Sequence, residues 1–268
     1  MTSLASLVGD YKDFLMALGL SQARILGLFM ILPIFERQLL PGLLRHGVAA
    51  GFGLLLIPVL LPGVRAADLS AAHTVMLILK ETFIGFLMGY LVAIPFWVFE
   101  AAGFFIDNER GASIAQTLNP LTGNDSSPLG EAFMQTFVTL FFVSGGFMML
   151  LDTLYSSFTV WDVLSWYPQL KVEAVPALLT EFGKIAASAL LLSAPAVIAM
   201  FLSEAGLALV GRFVPQLQVF FLAMPIKSAI GFLMLVLYAN TLLEVSGLQI
   251  GEMRRLLGSM GKLMGAAP

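Results

Sequence analysis

The chain has no cysteine, which removes disulfides, thiolate nucleophiles and thiolate metal sites from its possible chemistry. Its only two histidines, His46 and His73, are far apart and lack a metal-ligand spacing, so each reads as a structural side chain. Charge is scarce as well. Lys, Arg, Asp and Glu make up 12% of the residues, against about a quarter in soluble domains. The 14 basic and 17 acidic residues leave a net charge of −3, with no long basic run. The electrostatic footprint of a nucleic-acid binder is therefore missing. A cleavable signal peptide would need a basic start and a small-residue cleavage site. Here the apolar run from Phe14 follows Asp10, Lys12 and Asp13, so the first hydrophobic segment is expected to remain in the mature protein. There is no phosphate loop, nucleophile elbow, HExxH or carboxylate pair in a pocket-like context. Catalysis has little support, and no cofactor or metal is expected.

What is abundant is apolar surface. Hydrophobic residues make up 59% of the 268, and the mean hydropathy is +0.92. A soluble domain of this length needs more polar residues to cover its outside, so the excess must face lipid or partner subunits. Windows of roughly 20 apolar residues, the length needed to cross a bilayer as a helix, occur about six times: near 14–35, 47–64, 74–105, 132–151, 182–201 and 219–243. The third is too long for one straight span. It predicts either a span with a helical extension or a helix broken at Pro95. A connection at 152–176 mixes Tyr155, Trp161, Trp166 and Tyr167 with Asp162 and Lys171, as expected at a membrane–water boundary.

If all six windows span, one side carries Lys12, Arg65, Lys171, Arg254, Arg255 and Lys262, against Arg37, Arg45, Arg110 and Arg212 on the other. That bias places the tail, 248–268, in the cytoplasm. With no heptads, low-complexity tract or strong repeat, the economical reading is an all-α, polytopic, single membrane domain over 1–268, with about six long apolar helices that include broken helices and hairpins.

Charges inside apolar windows are the informative anomalies, because each costs about 3 kcal/mol at mid-bilayer unless paired, wetted or buried in protein. The chain has Arg24, Lys80, Glu81, Glu100, Glu131, Glu181, Lys184, Glu204 and Lys227. Glu181 and Lys184 are three apart on one helical face and predict a local ion pair. Lys80 and Glu81 are adjacent and are expected to point different ways, toward other helices or subunits. Lys227, just behind Met224-Pro225, predicts either contact with a partner's carboxylate or carbonyls, or a segment outside lipid. The polar stretch 106–129 stands apart, with Asp107, Glu109 and Arg110 beside the small residues Gly111, Ala112 and Ser113, then Gln116 and an Asn119-Pro120 turn. It is either a solvated connector or a re-entrant, pore-facing segment, since irregular backbone at membrane depth needs protein or a water-filled cavity around it. A rival reading is a secondary transporter with Glu100, Glu131 or Glu204 as its protonatable group. Such proteins usually carry inverted repeats and matched broken helices, and no convincing pair is present.

At this loop, IDNERGASIAQTLNPLTGNDSSPLG resembles the signature of the T component of type III secretion export apparatus, the YscT/SpaR/HrcT family related to flagellar FliR. QLQVFFLAMPIKSAIGFLMLVLY at 216–238 is similar to that family's last long helix, and ARILGLFMILPIFERQLLPGLLRHGVAAGFGLLL is a looser match. The runs Arg110-Gly111-Ala112-Ser113 and Pro225-Ile226-Lys227-Ser228 are more similar to the virulence injectisome branch than to the flagellar one. The resemblance implies one copy of this chain in a helical assembly with several R and S components, next to the U and V components. That assembly would form the inner-membrane portal for unfolded export substrates. It further implies that 106–129 contributes to a plug, through Asp107, Glu109, Arg110, Gly111, Ala112, Ser113, Gln116, Asn119 and Pro120. Arg24, Lys80, Glu81, Glu100 and Lys227 would then be charges buried within or between subunits rather than charges in lipid.

Overall fold

The computed structural model describes residues 4–35, 41–67, 69–111, 127–165, 174–214 and 219–263, and every regular element among them is helical. Helix α1 covers Leu4–Ile31 and ends where Pro33 disfavours helical backbone at Leu32, giving way to a 3-10 turn at Pro33–Phe35. Helices α2, Gly42–Leu54, and α3, Ile57–Ala66, meet at 70°, with Pro58 in the first turn of α3. The second apolar window is thus a broken helix. Helix α4 runs without interruption from Ala71 to Glu109. Its 39 residues extend to roughly 58 Å, so the extension expected from the sequence is present and the break at Pro95 is not. Pro95 is buried within the helix, where one missing N–H does not outweigh packing on both sides.

Helix α5 covers Pro128–Val143 and α6 covers Gly146–Val160, interrupted at Ser144-Gly145, where Gly145 takes φ +78°. Helix α7, Ala174–Phe213, is 40 residues long. Helices α8, Val219–Leu237, and α9, Ala239–Leu263, meet at 61°, so the polar tail from 248 is helical as far as Leu263. Among the described residues, three helices are long and apolar enough to cross a membrane, or up to six spans if each bent pair counts as one.

The helices gather into two compact units. The first is Met1–Ala93, Phe147–Pro176 and Met253–Pro268; the second is Ile94–Gly146 and Ala177–Glu252. In the first, Gly27, Gly85 and Gly89 let α1 and the first half of α4 pack backbone to backbone. A Cβ on Gly85 would collide with the Arg24 carbonyl, and one on Gly27 with the Thr82 carbonyl. Phe29 stacks on Phe35 at 3.6 Å between ring centroids. In the second, Phe96 and Phe99 of α4 interlock with Phe137 and Phe141 of α5, at centroid distances of 4.7–5.3 Å.

The outside is not that of a soluble protein. Leu191, Ile198, Phe201 and Leu202 of α7 and Phe221, Leu233, Val236 and Leu237 of α8 are exposed. The most apolar window of α7 is only 28% buried, against 67% for α4. That surface must be covered by hydrocarbon or by another protein.

Candidate functional site

Two charge networks and the stem of one polar segment collect most of the residues that stood out as anomalies. In the first unit, the Arg24 Nε donates to Glu81 Oε2 at 2.6 Å, its Nη1 to Ser157 Oγ at 2.9 Å and its Nη2 to the Trp161 carbonyl at 3.0 Å. The guanidinium also lies 4.0 Å from the Phe158 ring centroid. Arg24 and Glu81 side chains are 0% exposed. Lys80 Nζ donates to the carbonyls of Val163 at 2.8 Å and Ser165 at 2.7 Å, and makes an ion-pair contact of 2.9 Å with Glu81 Oε1. Lys80 and Glu81 therefore do not diverge as their adjacency suggested. The long lysine stem bends back so that both heads meet one cluster, and all the partners come from this chain. The network ties α1, α4 and the end of α6 together and leaves no exposed face for chemistry. Trp161, expected at a membrane–water boundary, is 4% exposed and supplies a carbonyl to this cluster.

In the second unit, Asp107 holds both ends of the polar stretch. Its Oδ1 accepts from Arg110 Nε at 2.7 Å, and its Oδ2 accepts from Ser127 Oγ at 2.6 Å and the Leu129 N–H at 2.9 Å. Ser127 in turn caps α5, its Oγ accepting from the Gly130 N–H at 2.9 Å. One buried carboxylate thus joins the last turn of α4 to the first turn of α5. Gly103 allows this, since a Cβ there would clash with the Leu129 and Gly130 backbone. Gly111 ends α4 with φ 84°, a conformation glycine adopts without steric cost, and its N–H donates to the Asn108 carbonyl at 3.1 Å. Asp107 and Glu109 are consequently helical residues rather than loop residues.

Lys227 of α8 sits beside this stem, 2.7 Å from Glu204 Oε2 and 3.1 Å from Glu109 Oε1. The Arg110 guanidinium lies 5.4 Å from the Phe232 ring centroid. Lys227 therefore has its carboxylates within its own chain. This cluster is more open than the first, with Glu204 45% and Glu109 29% exposed. Glu100 and Glu131 are exposed, and Glu131 occupies the first turn of α5, where the helix dipole favours an anion. Glu181 and Lys184 form the i,i+3 ion pair read from their spacing, at 2.6 Å.

Ala112, Ser113, Gln116, Asn119 and Pro120 lie outside the described residues. Among the described residues no three His, Asp or Glu side chains converge as a metal ion would require. Sequence reasoning missed Ser157, the Trp161 carbonyl and the double anchoring by Asp107. Only the last had a local signal, the Ser127-Pro128 pair that marks a capped helix start.

Comparison with known proteins bears on residues 15–253, which match the model of the family described as bacterial export proteins, family 1. The chain is 42% identical to Yop proteins translocation protein T of Yersinia pestis over 222 residues, 82% of this chain and 85% of that protein. It is 30% identical to surface presentation of antigens protein SpaR of Salmonella typhimurium over 232 residues, 87% and 86% of the two chains. It is also 30% identical to flagellar biosynthetic protein FliR of Bacillus subtilis over 246 residues, 89% and 93%.

Proposed function

Because the chain belongs to the bacterial export proteins, family 1, we propose that it is the T-type subunit of a type III protein secretion export apparatus, a structural and gating element in the bacterial inner membrane. The observation that carries this reading is the 42% identity to a Yop translocation protein over most of both chains. The broad exposed apolar faces of α7 and α8 agree with it, since a portal subunit must offer surface to lipid and to neighbouring subunits. The single copy, the R, S, U and V components as partners, the unfolded substrates and the cytoplasmic tail belong to this proposal. So does the treatment of 1–268 as one membrane-embedded domain, with 106–129 as its plug.

In mechanism the chain acts by shape rather than by reaction. Asp107 sets the spacing of the stem from which 112–126 emerges, and Lys227 ties Glu109 of that stem to Glu204 of α7. A plug on such a stem stays in register when a passing polypeptide displaces it, because its two ends are cross-linked by charge-assisted hydrogen bonds. The transporter reading has less to stand on. Glu204 is engaged by Lys227, while Glu100 and Glu131 are on exposed helix faces.

The test is co-expression with the R and S homologues of the same locus, purification through a tag on this chain, and native mass spectrometry. The expected result is a large hetero-oligomer with one copy of this chain. A stable homo-oligomer without R or S overturns the reading. The flagellar alternative rests on the 30% identity to FliR across 89% of the chain. Complementation of null strains for each system separates the two.

A further inference from the structure

The exposed surface of the second unit is of two kinds. Every exposed residue of α7 from Ala186 to Val210 is apolar, Leu190, Ile198 and Leu209 among them, while Ser188, Ser193, Ser203 and Glu204 are at least partly covered. Helix α5 is the reverse. Its exposed residues short of Phe142 are Pro128, Glu131, Ala132, Gln135, Thr136 and Thr139, with no large hydrophobic side chain among them. At about 100° per residue they fall within an arc of roughly 140°, and the buried Gly130, Met134, Phe137 and Phe141 lie on the opposite side. Phe137 and Phe141 are the rings locked against Phe96 and Phe99 of α4, so packing within the chain fixes which way the polar face points. From Glu131 to Thr139 that face is about 12 Å long.

Its chemistry excludes two coverings. Hydrocarbon cannot solvate the Glu131 carboxylate or the Gln135 amide. The dry core of a protein interface favours aromatic, Met and Arg side chains and is depleted in Glu, and the bare apolar face of α7 is the better surface for such a contact. Water is left. The Thr136 and Thr139 hydroxyls donate to the Ala132 and Gln135 carbonyls of their own helix, at 2.7 and 2.9 Å. Their protons are already held, so the face offers a passing molecule few strong anchors. A wet, weakly binding wall of this kind suits a chain that slides past whatever its sequence. The face also adjoins the polar stretch 106–129, because Glu131 lies in the first turn of α5 and Asp107 joins that turn to the end of α4.

We propose that the outward face of α5, formed by Glu131, Gln135, Thr136 and Thr139, is a wall of the water-filled passage taken by unfolded substrates, adjoining the plug. The wall presupposes the export apparatus and the plug at 106–129 proposed for this chain. The chain has no cysteine, so a reactive thiol can be set at one position at a time. Gln135→Cys and Thr139→Cys probe the polar face, and Ile198→Cys probes the apolar face of α7. Each variant is co-expressed with the R and S homologues, and membranes are treated with a small hydrophilic maleimide. Labelling of this chain is read after purification through its tag, with and without a substrate stalled in the apparatus by a fused domain that does not unfold. Thiolate is the reacting form and apolar surroundings suppress it by about tenfold per pKa unit, so Gln135→Cys and Thr139→Cys are expected to label at least about tenfold faster than Ile198→Cys. The stalled substrate should remove most of that labelling. Labelling as slow as at Ile198→Cys, or fast labelling that the stalled substrate leaves unchanged, overturns the wall while R and S still co-purify. Absence of R and S from the preparation sinks the export reading, and the wall with it.

Discussion

The two units each hold a cation against carboxylate, and they treat it in opposite ways. Arg24 and Glu81 are sealed at 0% exposure, with the guanidinium bonded to a carboxylate, a hydroxyl and a carbonyl. Lys227 is 11% exposed, but its partners Glu109 and Glu204 are 29% and 45% exposed. A sealed pair is held by its own isolation, because removing one partner strands a charge with no water to take its place. An open pair can exchange its partners for water at little cost. The first arrangement is a fixed frame, and the second is a contact that can open and re-form.

The largest effect is expected at the sealed network. Arg24→Met leaves the Glu81 carboxylate buried without its principal partner and should destabilise the chain by about 3–5 kcal/mol, read as loss of protease-resistant protein in membranes. Adding Glu81→Leu should recover much of that loss, since replacing a buried pair with apolar groups is often neutral. If the double variant is as depleted as the single one, the network acts by something other than charge pairing.

Asp107→Asn comes next. It weakens the bridge between Arg110 and the α5 start and should cost about 1–2 kcal/mol. Trypsin cleavage after Arg110 in the purified complex should accelerate. Unchanged cleavage would mean that the Gly103–Gly130 packing alone holds the stem.

Lys227→Met should cost about 1 kcal/mol or less, and the gap from wild type should shrink as salt rises, since partly exposed charges are screened. The Arg24→Met deficit should not change with salt. Equal salt dependence of the two deficits, measured by thermal melting of the complex, would erase the distinction between sealed and open. The smallest effect belongs to Glu181→Gln. It breaks an exposed i,i+3 pair whose lysine is 51% accessible and should shift stability by no more than about 0.5 kcal/mol.

Much of the architecture was legible beforehand, for reasons that can be named. Apolar windows longer than a bilayer leave few alternatives to helix, because every backbone N–H and C=O must be satisfied without water. Glu181 and Lys184 were readable as a pair because helix geometry is local. Broken helices were expected, but their positions at Leu55-Leu56, Ser144-Gly145 and Tyr238 were not, since an apolar window looks the same whether its helix is straight or bent. Pro95 misled in the other direction. The plug role proposed for 106–129 was read from a resemblance, and the structure adds the Asp107 bridge between the end of α4 and the start of α5.

The sequence by itself determined that the chain is helical, that it shuns water, that it has no thiol chemistry, and that a handful of charges would need partners. Those properties depend on composition and on spacings of a few residues. Which charge meets which was decided only by the tertiary structure. Arg24 reaches across 57 residues to Glu81 and 133 to Ser157, and Asp107 reaches across 20 to Ser127. Lys227 reaches across 23 to Glu204. Such pairings are set by where helices cross, through glycines at 27, 85, 103 and 130 that allow backbones to touch, and no local rule fixes a crossing.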